Sequence, residues 1–419
     1  MLTTLCRIFR PVSGQVIRRF ISAQSVNQIA LTGIQPTGTP HLGNYLGAIK
    51  PCVDIQKSGS VSKLLLIIAD LHALTSGARI KISENSMELT AILLTCLNGP
   101  HKSSACQPII FLQSAVFGHT ELAWILSTCC SLPRLAHLPQ WRDKSGSKSL
   151  ASDLTSTFIQ TDKSVSAYQP VDELKAFERA SIGLFTYPVL QAADILLYGA
   201  HIVPVGVDQT AHIELARDLV RISVARWPSL SSILRIPSSL VLGVPKINSL
   251  RNPVKKMSKS DGLEAGIIYV TDDPDTIRQK VKRAQTDSIR SITYDPEERP
   301  GVSNLLRILA AVEERDLNEI VQEASAWDKE TLKSHVVDAL VRELDPIRTG
   351  AKELMSTPEG QDKIIACLEQ GAVLANSIAR NRLEAIYSAT GCGLLRSASS
   401  KHHTEGFRIK RMKDGSFNS

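Results

Sequence analysis

Two strings far apart in the chain carry side chains suited to holding a polyphosphate. The first is Pro40-His41-Leu42-Gly43-Asn44, preceded by the turn-rich Gly33-Ile34-Gln35-Pro36-Thr37-Gly38. Glycine lets a ligand approach the backbone closely, so Gly43 could leave room for a flat base. His41 could donate to phosphate oxygens, and Gln35 and Thr37 add side-chain donors. Asn44, opening a helix, would turn backbone N–H groups toward an anion. The second string, Lys255-Lys256-Met257-Ser258-Lys259-Ser260, places three lysines and two hydroxyls in six residues. A loop of that composition can close on a triphosphate. Lys256 and Lys259 would offset the charge that grows as pyrophosphate leaves, and Ser258 and Ser260 would add hydrogen bonds. Taken singly, the first string reads as a plain turn and the second as a solvated basic loop. It is their pairing in one chain that argues for chemistry.

Between them lies a carboxylate in an apolar stretch. Asp194 interrupts Ala192-Ala193-Asp194-Ile195-Leu196-Leu197. A carboxylate on an apolar helix needs a partner. That partner could be a ligand donor, a neighbouring backbone N–H or an arginine.

The elements that must position these residues alternate in type. Short apolar runs predict strands over 29–32, 63–70, 108–113 and 201–205. Helical patterns lie between and after them, over 44–57, 83–97, 120–130, 189–198 and 210–224. Strand and helix in turn argue an α/β fold with a Rossmann-like, doubly wound parallel sheet. In such a sheet, ligands sit at the carboxyl ends of the strands, which is where the first string falls. Residues 141–180 are rich in Ser, Thr, Lys and Asp, and read as a surface insertion. From about residue 273 only helical patterns remain, over 274–283, 302–313, 317–326, 329–344 and 363–387, which predicts an all-helical C-terminal domain. The expected division is therefore 1–27 leader, 28–272 nucleotide-binding domain, 273–390 helical domain and 391–419 basic tail.

Composition is that of a globular protein: of 419 residues, 43% are hydrophobic and 21% charged. No apolar run reaches the ~18–20 residues a membrane span needs. The eight cysteines form no C-x-x-C pair, so no protein metal site is expected. The net charge of +7 sits at the two ends, which leaves the body between them close to neutral. Overall charge therefore says nothing for nucleic acid; a basic footprint would have to be local. At the N-terminus, Arg7, Arg10, Arg18 and Arg19 alternate with apolar residues, and no Asp or Glu precedes Asp54. That is the composition of a mitochondrial transit peptide, with the matrix as destination. A basic disordered arm is the alternative.

The two strings together resemble the HIGH and KMSKS signatures of class I aminoacyl-tRNA synthetases. KMSKS is present letter for letter, whereas Asn44 stands where the second His of HIGH is usual, a departure typical of the tryptophanyl branch. Residues 33–44, 184–209 and 286–306 also resemble that branch, and Val189-Leu190-Gln191 is similar to its mitochondrial form. The resemblance spans roughly residues 29–390. It implies ATP-dependent activation of L-tryptophan and its transfer to tRNA(Trp), by a homodimer, with Mg2+ carried on the ATP phosphates.

By the same resemblance, His41, Lys256 and Lys259 would act in catalysis. Gln35, Pro36, Thr37, Gly43, Asn44, Lys144, Gly206, Val207, Asp208, Ile247, Met257, Ser258 and Ser260 would join them around ATP. Asp194 would read the substrate indole, which offers one N–H and no acceptor. Val203 and Val205 would be walls, and Tyr187, Gln191 and Gln209 would hold the ammonium and carboxylate. Val207 departs from the family, which has Glu before Asp-Gln, so weaker ATP binding is expected. The helical domain would meet the anticodon. A tyrosyl synthetase, a small nucleotidyltransferase and a non-catalytic RNA-binding relative are the rival readings.

Overall fold

The computed structural model describes residues 28–76, 80–98, 106–138, 181–206, 209–241, 246–259 and 264–392. The expected leader, the 141–180 insertion and the tail beyond Cys392 lie outside the described residues.

Five parallel strands form one sheet in the order β3-β2-β1-β4-β5. They are β1 Ile29–Ile34, β2 Lys63–Ile68, β3 Pro108–Leu112, β4 Ile202–Val205 and β5 Ser238–Val241. Parallel sheets are covered on both faces, and β2 shows it. Leu64, Leu66 and Ile68 enter one hydrophobic cluster, while Leu65 and Ile67 enter another. β5 has no counterpart among the expected strands. Ser238-Ser239-Leu240-Val241 is short and half polar, so its strand character comes from pairing with β4, Ile202 opposite Ser238.

The principal helices are α1 Lys50–Ser58, α2 Asp70–Ala73, α3 Ile82–Leu97, α4 Gly118–Ser127, α5 Ile182–Leu196 and α6 Thr210–Arg226. After them come α7 Pro274–Lys282, α8 Pro300–Glu313, α9 Leu317–Ala324, α10 Lys329–Ser356 and α11 Pro358–Thr390. Two of these run through a proline that a sequence pattern reads as a boundary: Pro188 in α5 and Pro346 in α10. Each removes one main-chain donor, and packing keeps the helix going. Ahead of α1 the chain makes a helical turn, Leu42–Asn44, then a π segment, Tyr45–Ile49. Lys50 N–H donates to Tyr45 O, five residues back, and Pro51, just after it, has no N–H to continue the ordinary ladder.

The C-terminal helices are packed onto the sheet. Val302, Leu305 and Ile308 of α8 and Leu332, Val336 and Leu340 of α10 share one cluster with Ala30, Leu64 and Leu66. α11 serves both clusters, Ile364 and Leu368 in one, Ala375, Ala379 and Leu383 in the other. It crosses β3, the edge strand, at Gly371. A Cβ there would overlap the Ile110 carbonyl oxygen, so glycine is what permits the crossing. Asn376 Nδ2 then donates to Ala115 O at 2.9 Å.

Candidate active site

The strand order reverses between β1 and β4, which is where a doubly wound sheet opens a crevice. The loop after β1 carries residues 35–41, and the loop after β4 begins at Gly206. β1 is tied to β4 by Thr32 Oγ1, which donates to Pro204 O at 3.3 Å.

His41 caps the turn that follows. Its Nδ1 accepts the Asn44 backbone N–H at 3.2 Å, and Asn44 Oδ1 accepts the His41 N–H at 3.2 Å. The imidazole lies back over Gly43, where a Cβ would meet His41 Cε1 at 3.0 Å and Nδ1 at 3.1 Å. Gly43 therefore makes room for the histidine itself. The Asn44 N–H, expected to face an anion, is engaged with His41. Burial, helped by the charges of Lys259 and Lys256, pulls the His41 imidazole down to about 4. It is neutral at pH 7. With Nδ1 acting as acceptor, its proton is on Nε2, as a donor to an anion.

The second string meets the first. Lys259 Nζ donates to Thr37 O at 3.4 Å and lies 3.3 Å from where a Cβ on Gly38 would stand. Gly38 has φ +110°, open to glycine alone without strain. Met257 is buried, and its N–H donates to Ile247 O at 3.0 Å, so the Ile247 carbonyl anchors this loop. Asn304 of α8 clamps the same segment: Asn248 N–H donates to Asn304 Oδ1, and Asn304 Nδ2 donates to Asn248 O, both at 2.9 Å. Asn304 lies within 286–306, one of the stretches that resemble the tryptophanyl branch, and its clamp emerges only with the fold. Lys256 is exposed. Ser260, Lys144, Val207 and Asp208 lie outside the described residues.

Asp194 is 5% exposed and held by three side chains. His72 Nε2 is 2.9 Å from Oδ2, His119 Nδ1 is 2.6 Å from Oδ1, and Gln113 Nε2 donates to both oxygens at 2.8 and 2.9 Å. Although burial opposes the charge, the two histidines outweigh it and hold the carboxyl down at about 2. His72, Gln113 and His119 carry no motif of their own in the sequence. They follow the carboxyl ends of β2 and β3, where the crevice rule would have found them. Asp70 joins the same two loops, accepting the Ser114 N–H at 2.9 Å.

Beside this cluster, Tyr187 packs edge-on to His72, with ring centroids 6.2 Å apart. Its hydroxyl is 3.3 Å from His212 Nε2, while His212 Nδ1 is 2.9 Å from Gln209 Oε1 and Gln191 Nε2 donates to Gln209 Oε1 at 3.3 Å. Tyr187, Gln191 and Gln209 thus meet around a histidine not anticipated. Val203 and Val205 lie in the hydrophobic cluster that holds Ala192 and Ala193. The site has two ends: neutral and cationic donors at His41, Lys256 and Lys259, and a buried anion at Asp194.

The family described as tRNA synthetases class I (W and Y) matches residues 24–345. This chain belongs to the class I tRNA synthetases. It is similar to the mitochondrial tryptophan–tRNA ligase of Schizosaccharomyces pombe, 38% identical over 327 residues, 77% of this chain and 85% of that one. Among solved structures it resembles the tryptophanyl-tRNA synthetase of Mycoplasma pneumoniae, with a TM-score of 0.68 and 28% identity over 87% of this chain and 98% of that one. The enzyme of Campylobacter jejuni complexed with ADP and tryptophan matches with a TM-score of 0.61 and 28% identity over 87% of this synthetase and 100% of its own chain.

Proposed function

We propose that this synthetase is a tryptophan–tRNA ligase of the mitochondrial matrix. It activates L-tryptophan with ATP to tryptophanyl-adenylate and pyrophosphate, then loads tRNA(Trp). The observation that carries the choice of amino acid is Asp194. Its two oxygens take four contacts from three side chains, Gln113 Nε2 sharing its hydrogen bonding between both. A buried carboxylate held in this way is an oriented acceptor with nothing to donate, which suits a ring that offers a single N–H. Sites that hydrogen-bond a substrate group reject analogues lacking it by ~10⁴-fold, so tyrosine and phenylalanine are excluded without editing.

In the first step the tryptophan carboxylate attacks the α-phosphorus and pyrophosphate leaves. No protein nucleophile takes part. His41 Nε2–H donates to phosphate oxygens, and Lys256 and Lys259 offset the charge on the departing pyrophosphate. Gln35, Pro36, Thr37, Gly43 and Ser258 line the nucleotide, with Gly206 and Ile247 around it; Ser260, Lys144, Val207 and Asp208 are assigned to it by the resemblance alone. Asn44 contributes by orienting His41. Tyr187, Gln191 and Gln209 hold the ammonium and carboxylate. The donors at this end are cationic or N–H groups, which suit phosphate oxygens and not a cation. One Mg2+ would ride on those oxygens and draw charge from the triphosphate. In the second step the terminal ribose hydroxyl of tRNA attacks the acyl carbon.

A homodimer is supported by an apolar patch at α4: Trp124 is 74% exposed, and Phe117, at the N-cap of the helix, 59%. Trp124→Asp should shift the sedimenting species to the monomer. The matrix location rests on the arginine-rich leader, and a reporter carrying residues 1–30 should enter mitochondria. The ligase reading is tested by charging a tRNA(Trp) transcript with each of tryptophan, tyrosine and phenylalanine. Charging with tyrosine, or with none, would sink it.

A further inference from the structure

On the reading of Asp194 given above, we propose that His119 and Tyr198 are positioning residues for recognition of the substrate ring. Together they hold Asp194 as a fixed, acceptor-only carboxylate.

Three groups stand in line. Tyr198 OH is 2.9 Å from His119 Nε2, and His119 Nδ1 is 2.6 Å from Asp194 Oδ1. His119 and Tyr198 are both fully buried. Phe111 packs against both rings, at centroid distances of 6.2 Å from His119 and 5.6 Å from Tyr198. Burial and the charge of Asp194 push the Tyr198 phenol well above its usual range, so it keeps its proton. We take the phenol as the donor to His119 Nε2. The imidazole N–H then stands on Nδ1, facing the carboxylate. Every atom in the line then has a matched partner. Without the phenol, the buried Nε2 is left with no partner and the ring loses the anchor that aims its Nδ1–H at Asp194. The carboxylate would swing or take up a proton, and either loses the acceptor that a ring N–H needs.

The pairing is built by the fold. His119 comes from the first turn of α4, Asp194 from α5, and Tyr198 from the turn that follows α5. His72 and Gln113 hold the rest of the carboxylate from the β2 and β3 loops. Neither reaches Tyr198 through any described hydrogen bond, so the phenol acts through His119.

The test compares tryptophan with 3-(benzothiophen-3-yl)alanine, which has the same shape and no ring N–H, in amino-acid-dependent pyrophosphate exchange. The wild type should favour tryptophan by at least the roughly tenfold typical of one hydrogen bond to a charged group, and by up to ~10⁴-fold where the buried acceptor is left unpaired. Tyr198→Phe removes only an oxygen. It should cut that preference by about fivefold through a raised KM for tryptophan, leaving kcat and the analogue's KM unchanged. His119→Asn supplies an amide donor that needs no phenol. It should restore the preference, and adding Tyr198→Phe to it should cost nothing more. His119→Leu should lose the preference; if it does not fold, the Tyr198→Phe and His119→Asn pair decides alone. A Tyr198→Phe enzyme with the wild-type preference, or one weakened equally on both substrates, overturns the proposal. A wild type that does not separate the two substrates overturns the Asp194 reading instead.

Discussion

Gly43→Ala separates the stability of the first loop from its chemistry. A methyl at this position would stand 3.0 Å from His41 Cε1 and 3.1 Å from Nδ1. Ordinary carbon contacts are about 3.5–4.0 Å, so the ring must retreat by roughly half an ångström. The Asn44 N–H to Nδ1 bond is already 3.2 Å long and would break. His41 then loses both its place and the hydrogen bond that sets its tautomer. A 1 Å misplacement can cost about 10²-fold in rate, so half of that, with the tautomer unfixed, predicts a 10- to 30-fold fall in the rate of amino-acid activation. Stability should change little. Gly43 is helical, and the gain of up to ~1 kcal/mol of alanine over glycine in a helix is offset by the cap bond that breaks, worth about 1 kcal/mol. Thermal unfolding and pyrophosphate exchange on the same sample decide the matter. A variant within about 1 kcal/mol of wild-type stability and tenfold slower supports the reasoning. Activity within about twofold of wild type would refute it, as would activity lost in step with Tm.

Further outcomes follow from other positions. Lys259→Ala should lower kcat by roughly 10²-fold, the effect of removing one transition-state donor, with the KM for tryptophan little changed; a purely tryptophan-binding defect would count against the phosphate role. Gly371→Ala forces a Cβ onto the Ile110 carbonyl and should cost about 3 kcal/mol in urea unfolding; a neutral change would mean that α11 does not cross β3 so closely. Asp194 is held at about 2, below its ordinary 3.8. Its contribution of about 2 kcal/mol is therefore complete above pH 4 and lost as pH falls through 2. Asp194→Asn should remove that part of the acid dependence, and an unchanged acid profile would argue against the ionised cluster.

Sequence made some parts of this site legible and hid others, for physical reasons. Asp194 stood out because a carboxylate in an apolar run demands a partner. His41 and Lys259 stood out by composition, yet their meeting over Thr37 depends on how the sheet and α8 bring two loops together. His72, Gln113 and His119 passed unnoticed because a lone histidine or glutamine after a strand has no periodic signature. Their place after the carboxyl ends of β2 and β3 is the one clue the sequence holds, and their convergence on one carboxylate is what marks them. β1, β2 and β3 were readable as apolar runs, whereas Ser238–Val241 became a strand through its neighbour. Pro188 and Pro346 misled, since a proline lowers helix propensity locally while burial of Val189, Ala192 and Ile347 keeps the helix intact. The helices after residue 273 were legible one by one. Their shared core with the sheet was not, because helical periodicity says which face is buried and not against what.

The central claim is tested most directly by amino-acid-dependent exchange of labelled pyrophosphate into ATP, with each of the twenty amino acids offered in turn to the full chain. Exchange should appear with tryptophan and fall by orders of magnitude with tyrosine and phenylalanine. Exchange driven by tyrosine, or no exchange with any amino acid, would contradict the account.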